Sequence, residues 1–377
     1  MNSDGKLSAF AERLNGEILR GGSVHSGSDP MRTDSAFNEL ALELFKLQFS
    51  ANSPYRRFCE SRGAEPSGFW DWRNIPAMPA EAFKEYEMTS IPEPERTTVF
   101  HSSGTTGQRP SRHFHSKGSL ELYESSLWPW FSHHLCPPPR VRPEWLLALT
   151  PQKENAPNSS LAHMFQCVAE RLNVAPALFG GRTAPDGGWE LEAPSVISFL
   201  EQASSSGKPG LLLSPAFGLV QLFDALAERK QRFQLAQGSS VLETGGYKGR
   251  TRTLSKADLH AEITRWLGVP PTCIVTEYGM SELSSQAYDQ VAGSSLSRGP
   301  RVFRFPSWAR AQIISPETGA EVADGETGMI RVFDLANVFS VLALQTGDLG
   351  VRRGEGFNLL GRAEHLEPRG CSLLAIP

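Results

Sequence analysis

Residues 101–111 constrain this chain more than any other stretch, because hydroxyl side chains and glycine dominate them. They follow a β-prone run at residues 97–100, so we expect them to form the loop that leaves a strand. The loop contains Ser102, Ser103, Gly104, Thr105, Thr106 and Gly107. With so little side-chain bulk, its backbone N–H groups and hydroxyls can turn onto a phosphate. The spacing is not that of Walker A, since no Lys-Ser/Thr pair follows the glycines, and a polar surface turn is the alternative.

Strand-like and helix-like segments alternate along the rest of the chain. Buried strands are predicted at residues 146–151 and 210–215, and helices are predicted from Ser159 or Ser160 and over residues 217–229. The first 90 residues or so are predicted to be mostly helical, because apolar side chains recur at helical spacing after Phe37. This alternation predicts an α/β fold with layered sheets and helices.

Composition narrows the classes of function. The 377 residues carry a formal net charge of −4 and no long basic run, which argues against nucleic-acid binding. No apolar run approaches the about 20 residues that span a bilayer, and residues 1–6 lack the apolar core of a signal peptide. The five cysteines, Cys59, Cys136, Cys167, Cys273 and Cys371, show no CxxC spacing. We therefore expect reduced thiols and a cytoplasmic protein, without disulfides or a zinc site.

A second glycine-rich segment follows the β-prone residues 241–243. Gly245 and Gly246 let a planar ligand approach the backbone, and Lys248 supplies a mobile cation nearby. We therefore expect Gly245, Gly246 and Tyr247 to contribute to a nucleotide site. A tight turn with a solvated lysine is the alternative reading of this segment.

Residues 274–282 place an aromatic ring, a glycine, a hydroxyl and a carboxylate at the end of a predicted strand. The ring of Tyr278 can stack on adenine, the hydroxyl of Ser281 can hold a phosphate, and Glu282 can ligate Mg²⁺. We assign Glu277, Tyr278, Gly279, Met280 and Ser281 to nucleotide binding and Glu282 to the metal. The alternative is an ordinary polar strand end.

The last segment with a chemical signature is residues 345–350, which we expect to contain a glycine turn. A carboxylate held by such a turn, Asp348, can accept both hydroxyls of a ribose, and Arg362 can donate to the same sugar. A plain turn joining two strands is the alternative.

Taken in order, SSGTTG, TGG, TEYGMSE, TGD and GR resemble the motif succession of the adenylate-forming superfamily, which includes acyl-CoA synthetases, luciferase and peptide-synthetase adenylation domains. The resemblance runs from Ser102 to Arg362 and implies ATP and Mg²⁺ as cofactors, with a catalytic role for Thr105. The stretches NSPYRRFC, IPAMPAEAFK, NSSLAHM and ETGGYK look like the acyl-protein synthetases. These are the ATP-dependent subunits of the bacterial luminescence fatty acid reductase complex and are related to phenylacetate-CoA ligase.

The sequence departs from the superfamily after Arg362, where only 15 residues remain. Members usually carry a mobile C-terminal lid domain there, which brings the lysine that assists adenylation. We therefore predict an adenylating domain over residues 1–362 and a tail over residues 363–377. Lys248 is expected to replace the lid lysine, with Arg109 or Arg362 as alternatives.

The tail supplies a candidate acyl acceptor. Cys371 matches the family's acylated cysteine by position and context, and the nearby Arg369 would favour the thiolate. A small hydrophobic residue in an apolar terminal strand is the alternative. The other four cysteines are expected to be packing residues.

These expectations combine into one reaction. A carboxylic acid, expected to be a fatty acid, is activated as an acyl-adenylate and transferred to Cys371 as a thioester. An acyl reductase or another protein partner then receives the acyl group, by analogy with the family. Two alternatives stay open: a ligase that transfers the acyl group directly to coenzyme A or a carrier protein, and a non-catalytic scaffold that retains the fold.

Overall fold

The computed structural model describes residues 3–21, 31, 33–102, 109–138, 142–247, 251–294 and 299–363. The chain divides into two compact units. The first unit comprises Met1–Pro129, Met280–Ala287 and Pro300–Pro377, and the second comprises Trp130–Gly279 and Tyr288–Gly299. The division predicted from the sequence, residues 1–362 and 363–377, stays a prediction.

The secondary structure alternates between helices and strands over most of the chain. The helices are α1 (Ser3–Gly21), α2 (Asp34–Ala51), α3 (Ser53–Glu60), α4 (Ala82–Glu85), α5 (Lys117–Leu135), α6 (Ser160–Leu172), α7 (Ala193–Ser206), α8 (Ala216–Glu228) and α9 (Lys256–Leu267). The strands are β1 (Met78–Pro79), β2 (Thr98–His101), β3 (Arg112–His115), β4 (Leu146–Ala148), β5 (Ala177–Phe179), β6 (Gly181–Thr183), β7 (Trp189–Leu191), β8 (Leu211–Ser214), β9 (Ser240–Glu243), β10 (Ile274–Tyr278), β11 (Ala287–Tyr288), β12 (Ala309–Ile314), β13 (Thr327–Asp334), β14 (Ala343–Arg353) and β15 (Gly356–Arg362). The predicted α/β class is confirmed.

The N-terminal helices form where the sequence predicts them. The α2 helix begins after Thr33, whose side-chain oxygen accepts a hydrogen bond from the Ala36 amide at 3.3 Å. It buries one face, made of Phe37, Ala41, Leu44, Phe45 and Gln48. This spacing of three or four residues is that of an amphipathic helix packed on a core.

The first unit contains a mixed sheet that carries two of the predicted site residues. Its strand order is β1-β14-β13-β12, and β15 also pairs with β14. The strand β1 runs parallel to β14, whereas the other pairs are antiparallel. The register places Asp348 of β14 opposite Arg362 of β15. Sheet pairing therefore joins residues that lie apart in the sequence.

The prediction of a turn at residues 345–350 is wrong, because this segment is the middle of β14. Its glycines serve close packing between neighbouring elements. A Cβ atom at Gly347 would lie 3.4 Å from both Arg362 Nη1 and Glu81 Oε1, and one at Gly350 would lie 3.1 Å from Ile330 Cγ1. Hydrogen bonding to β13 and β15 on both sides holds the backbone extended, and this overrides the local preference of Gly-Asp for a turn.

The second unit contains a parallel sheet with the strand order β10-β9-β8-β4-β5. The strands β4, β8, β9 and β10 are buried along their whole length, whereas the edge strand β5 is partly exposed. In β8, for example, Leu211, Leu212 and Leu213 are 1%, 0% and 0% exposed. Such continuous apolar runs are typical of strands covered on both faces. Because these strands are parallel, the carboxyl ends of β8, β9 and β10 lie at one edge of the sheet, where α/β proteins bind ligands.

Within the ranges given above, no helix is both long enough and apolar enough to cross a membrane.

Candidate active site

The predicted phosphate loop leaves β2 and returns through β3 in the first unit. Its two ends are tied together, since the Ser102 amide donates to the Ser111 carbonyl at 3.3 Å and the Ser111 amide donates to Ser102 Oγ at 3.0 Å. Ser102 is thus placed at the closed stem of the loop. The loop residues Ser103, Gly104, Thr105, Thr106 and Gly107 lie outside the described residues.

The stem of this loop contacts the predicted metal ligand directly. Ser111 Oγ donates a hydrogen bond to Glu282 Oε1 at 2.5 Å, and Ser281 Oγ donates to Glu282 Oε2 at 3.0 Å. His113 Nδ1 lies 2.8 Å from the Ser281 carbonyl oxygen. The structure therefore brings Ser102, Ser281 and Glu282 together, although 170 or more residues separate the two segments in the chain.

Glu282 is a buried carboxyl group whose pKa lies above its usual value. It is 5% exposed, and burial raises its pKa, while hydrogen bonds from Ser111 and Ser281 and the charge of Arg362 act in the opposite direction. Its main-chain carbonyl accepts a hydrogen bond from Asn337 Nδ2 at 3.0 Å. The side chain is therefore held in one place by contacts on both sides.

A second buried carboxylate, Asp334, fixes the segment that follows Glu282. Asp334 Oδ2 accepts hydrogen bonds from the amides of Ser284 and Ser285 at 2.9 and 2.8 Å, and Ser285 Oγ donates to Oδ1 at 2.7 Å. Burial raises the pKa of Asp334 to about 6, against these hydrogen bonds. Asp334 acts on the site through the backbone of its neighbours.

No functional role is predicted from the sequence for Ser111, His113, Asp334 or Asn337. Ser111 lies inside the segment singled out at the start, but a serine at a loop end has no distinguishing sequence signal. The available signal for Asp334 is its place as the last residue of an apolar strand, with Asn337 three residues further along the chain.

The predicted ribose ligands are paired in the first unit. Arg362 Nε lies 3.0 Å from Asp348 Oδ1, and Asp348 is 8% exposed. The charge of Arg362 also acts on Glu282. Asp348, Arg362 and Glu282 therefore belong to one electrostatic cluster of that unit, although none of them is adjacent in sequence.

The predicted adenine turn follows β9 in the second unit. Gly245 and Gly246 have φ angles of +64° and +76°, which L-residues with side chains rarely adopt. Their carbonyl oxygens accept hydrogen bonds from the amides of Ala216 and Phe217 at 3.0 and 3.3 Å, at the start of α8. Tyr247 Oη donates to the Leu254 carbonyl at 3.0 Å, so its hydroxyl is already engaged. Lys248 lies outside the described residues.

The strand β10 ends beside this turn. It pairs with β9 in parallel, with Thr276 opposite Glu243, so Glu277, Tyr278 and Gly279 follow next to the turn. Tyr278 is 6% exposed. Burial and the charge of Glu243 raise the pKa of Glu277 to about 8, so this carboxyl is protonated at neutral pH. Met280 and Ser281 continue the chain into the first unit.

The donor set around Glu282 suits Mg²⁺ bound together with a nucleotide. The described ranges contain no group of three or more His, Cys, Asp or Glu side chains that could hold a metal ion. Mg²⁺ is usually held by one or two carboxylates together with substrate phosphates and water. A single buried carboxylate flanked by two hydroxyls fits that pattern.

Four of the cysteines occupy packing positions, as the sequence predicts. Cys59, Cys167 and Cys273 are buried, and Cys136 is half-buried. Burial raises the pKa of the Cys59 thiol to about 12, which keeps it protonated and unreactive. Cys371 lies outside the described residues.

Comparisons with known proteins identify the family of this chain. The sequence profile of the family described as acyl-protein synthetase, LuxE, matches residues 28–375. A long-chain-fatty-acid–luciferin-component ligase from Vibrio harveyi is 22% identical over 351 residues, covering 89% of this chain and 86% of that ligase. The ligase of the same name from Aliivibrio fischeri is 20% identical over 354 residues, with coverage of 89% and 86%.

Solved structures share the fold. The 2-hydroxyisobutyryl-CoA ligase, in its postadenylation state with 2-HIB-AMP, superimposes with a TM-score of 0.65 at 15% identity, covering 88% of this chain and 68% of that one. Its complex with 2-HIB-AMP and CoA in the thioesterification state gives a TM-score of 0.63 at 15% identity, with coverage of 87% and 67%. The predicted fold, that of an adenylate-forming ligase, is confirmed.

Proposed function

Because this chain belongs to the acyl-protein synthetase (LuxE) family, we propose that it activates a long-chain fatty acid with ATP and passes the acyl group to a protein thiol. The two luciferin-component ligases support the acid class. The observation that carries the proposal is the 2.5 Å hydrogen bond from Ser111 to Glu282. It joins the stem of the predicted phosphate loop to a buried carboxylate suited to the metal of a bound nucleotide.

The first half-reaction makes the acyl-adenylate. A carboxylate oxygen of the acid attacks the α-phosphorus of ATP, and the bond to pyrophosphate breaks. The loop around Ser102 and Thr105 binds the phosphates through its amides and hydroxyls. Glu282 holds Mg²⁺, which supplies charge neutralisation on the phosphates when bound.

The rest of the nucleotide is bound by residues of the other motifs. Asp348, oriented by Arg362, accepts the ribose hydroxyls, and Tyr278 lies against adenine with the Gly245–Gly246 turn on the other side. Lys248 supplies the cation that answers the charge developing on the phosphates. A Lys248→Ala variant should adenylate at least about tenfold more slowly at saturating ATP; an unchanged rate would assign this role to Arg109 or Arg362.

The second half-reaction transfers the acyl group. The Cys371 thiolate attacks the acyl carbonyl carbon, AMP leaves with the electron pair of the broken C–O bond, and a thioester forms. The mixed anhydride is a strong acyl donor, so no further activation is needed. A partner protein with acyl reductase chemistry then consumes the thioester.

Pyrophosphate exchange into ATP tests the first half-reaction. Wild-type protein with Mg²⁺ should exchange label with long-chain saturated acids and much less with short ones. Glu282→Gln should slow this exchange at least about tenfold. Glu321→Gln is a matched control, because Glu321 pairs with Arg352 at 3.6 Å in the same unit and outside the proposed site. Absence of exchange with every acid would favour the scaffold alternative, and rapid formation of acyl-CoA would favour the direct ligase.

A further inference from the structure

A buried polar network lies directly beneath the glycine turn of the second unit. It consists of Glu243 at the end of β9, His260 and Lys256 on α9, Thr276 on β10, and Asp289. Glu243, His260, Thr276 and Asp289 are 2%, 8%, 5% and 4% exposed, respectively. Buried polar groups of this number require mutual hydrogen bonding, and the function proposed above uses none of them.

Glu243 is the member of the network that contacts the turn. Its Oε2 accepts a hydrogen bond from the Gly245 amide at 2.9 Å, while its Oε1 lies 3.3 Å from His260 Nε2. Burial would raise the pKa of Glu243, but the hydrogen bond and charge of His260, with the charge of Lys256, hold it below its usual value. Glu243 is therefore an ionised acceptor, and its bond to Gly245 is charge-assisted.

His260 is held in place by other elements of the unit. It lies in the second turn of α9, a helix that begins after Ser255, whose Oγ accepts from the Asp258 amide at 3.1 Å. Thr276 Oγ1 lies 3.5 Å from His260 Nε2, so β10 contacts the same ring nitrogen. The imidazole thus connects α9 and β10 to Glu243.

The lower part of the network ties β10 to the start of α9. Asp289 Oδ1 accepts from the Thr276 amide at 2.8 Å, and Lys256 Nζ lies 2.7 Å from Asp289 Oδ2. Because each member has a polar partner, the network can hold Glu243 rigidly.

The turn is accordingly held from two sides. Its first amide is bound by Glu243, and its two carbonyls are bound by the first residues of α8. Glycine at positive φ is the most flexible backbone available, so these three hydrogen bonds, and not the glycines, fix the orientation of the turn.

We propose that Glu243 and His260 form a positioning pair that holds the Gly245–Gly246 turn in the conformation that receives the nucleotide base. The role in binding the nucleotide base rests on the function proposed above, whereas the role in holding the turn does not. The pair sets nucleotide affinity without contacting the reacting atoms, in the way outer residues orient the ligands of a preorganised site.

Three measurements on the wild type and its variants test this inference. Amide hydrogen exchange of residues 245–247 should be at least about tenfold faster in Glu243→Ala and His260→Ala, because the opening of the turn loses its restraint. The dissociation constant of ATP should rise at least about tenfold in both variants, as expected from loss of a charge-assisted hydrogen bond. The KM of the acid should change less than about twofold, since the turn is assigned to the base alone.

Thr264→Val is the matched control. Thr264 lies one turn after His260 on α9, and its Oγ1 donates to the carbonyls of His260 and Val269 at 3.1 and 2.8 Å. Its loss should destabilise α9 without faster exchange in the turn or weaker ATP binding. If Glu243→Ala does not fold, Glu243→Gln replaces it in the test. The Gln side chain keeps an acceptor for the Gly245 amide, so this variant should fold and retain most of the protection of that amide against hydrogen exchange.

The outcomes are distinct. Wild-type exchange rates at the turn in the Glu243 and His260 variants, or equal effects in Thr264→Val, would overturn the positioning pair. Faster exchange with unchanged ATP affinity would overturn its link to the nucleotide. If the wild-type protein binds no ATP, the proposed function fails, and hydrogen exchange alone decides whether the pair holds the turn.

Discussion

At the scale of single residues, the Asp348–Arg362 pair is expected to bind the ribose of ATP. Asp348→Ala should weaken ATP binding by roughly 1.5–3 kcal/mol, because a hydrogen bond to a charged acceptor is lost. Isothermal titration with ATP and Mg²⁺ measures this. Asp324→Ala is the control, since Asp324 accepts from the Gly354 amide at 2.7 Å at the exposed end of the same sheet. Equal affinities of wild type and Asp348→Ala would remove the ribose role.

The raised pKa of Glu277 predicts how the stability of the folded protein depends on pH. Its pKa is about 8 in the folded protein, raised by burial and by Glu243, whereas an unfolded glutamate ionises near 4.5. Between these values the folded state binds more protons than the unfolded state, so stability falls as pH rises from about 4.5 to about 8. Glu277→Gln should remove this loss and be the more stable protein at pH 8.

Urea unfolding of the nucleotide-free protein from pH 5 to pH 8 measures the effect. One pKa unit corresponds to about 1.4 kcal/mol, so the gain at pH 8 should exceed that value. Glu228→Gln, at the exposed end of α8, should leave the pH dependence as it is in the wild type. Parallel curves for wild type and Glu277→Gln would show that Glu277 ionises normally.

At the scale of elements, a hydrogen bond from Ser111 to Glu282 joins the stem of the β2–β3 loop to the segment that contains Glu282. Ser111→Ala removes the donor to a buried carboxylate oxygen, which costs about 1–3 kcal/mol. We expect pyrophosphate exchange to slow by about tenfold or more, because both the loop and Glu282 lose a fixed position.

Ser116→Ala is the control for this element. Ser111 directly precedes β3, and Ser116 directly follows it. The Ser116 hydroxyl accepts a hydrogen bond from the Ser119 amide at 3.3 Å, at the start of α5. Its removal should leave exchange within about twofold of wild type. Similar losses in the two variants would point to general destabilisation of β3, and an unaffected Ser111→Ala would separate the loop from Glu282.

At the scale of the whole molecule, the two half-reactions should be separable. Incubation with ATP, Mg²⁺ and a long-chain acid should add the acyl mass to the protein at Cys371. Neutral hydroxylamine should release it, because thioesters are cleaved where amides are not. Cys371→Ser should still exchange pyrophosphate, since acyl-adenylate formation needs no thiol, but should carry no thioester label.

Cys136→Ser is the control for the labelling, because Cys136 is the half-buried thiol among the described cysteines. Mass spectrometry of the digested protein locates the label. Acyl label on another cysteine, or labelling of an added carrier thiol while the protein itself stays unlabelled, would refute Cys371 as the acceptor.

The sequence by itself determined the α/β class, the helical N-terminal part and the motif order. These features depend on local spacing: apolar residues of α2 at helical intervals, apolar runs in β4 and β8, and glycines where φ is positive at Gly245 and Gly246. Such signals lie within a few residues of one another, so no knowledge of the fold is needed to read them.

Only the tertiary structure decided which groups meet. Ser111 and Glu282, or Glu243 and His260, are hydrogen-bonded because strand order and register bring them together, and nothing local marks these residues as partners. The Gly-Asp segment of β14 is the clearest case. Its local preference is a turn, but hydrogen bonds to two neighbouring strands make the extended backbone more stable.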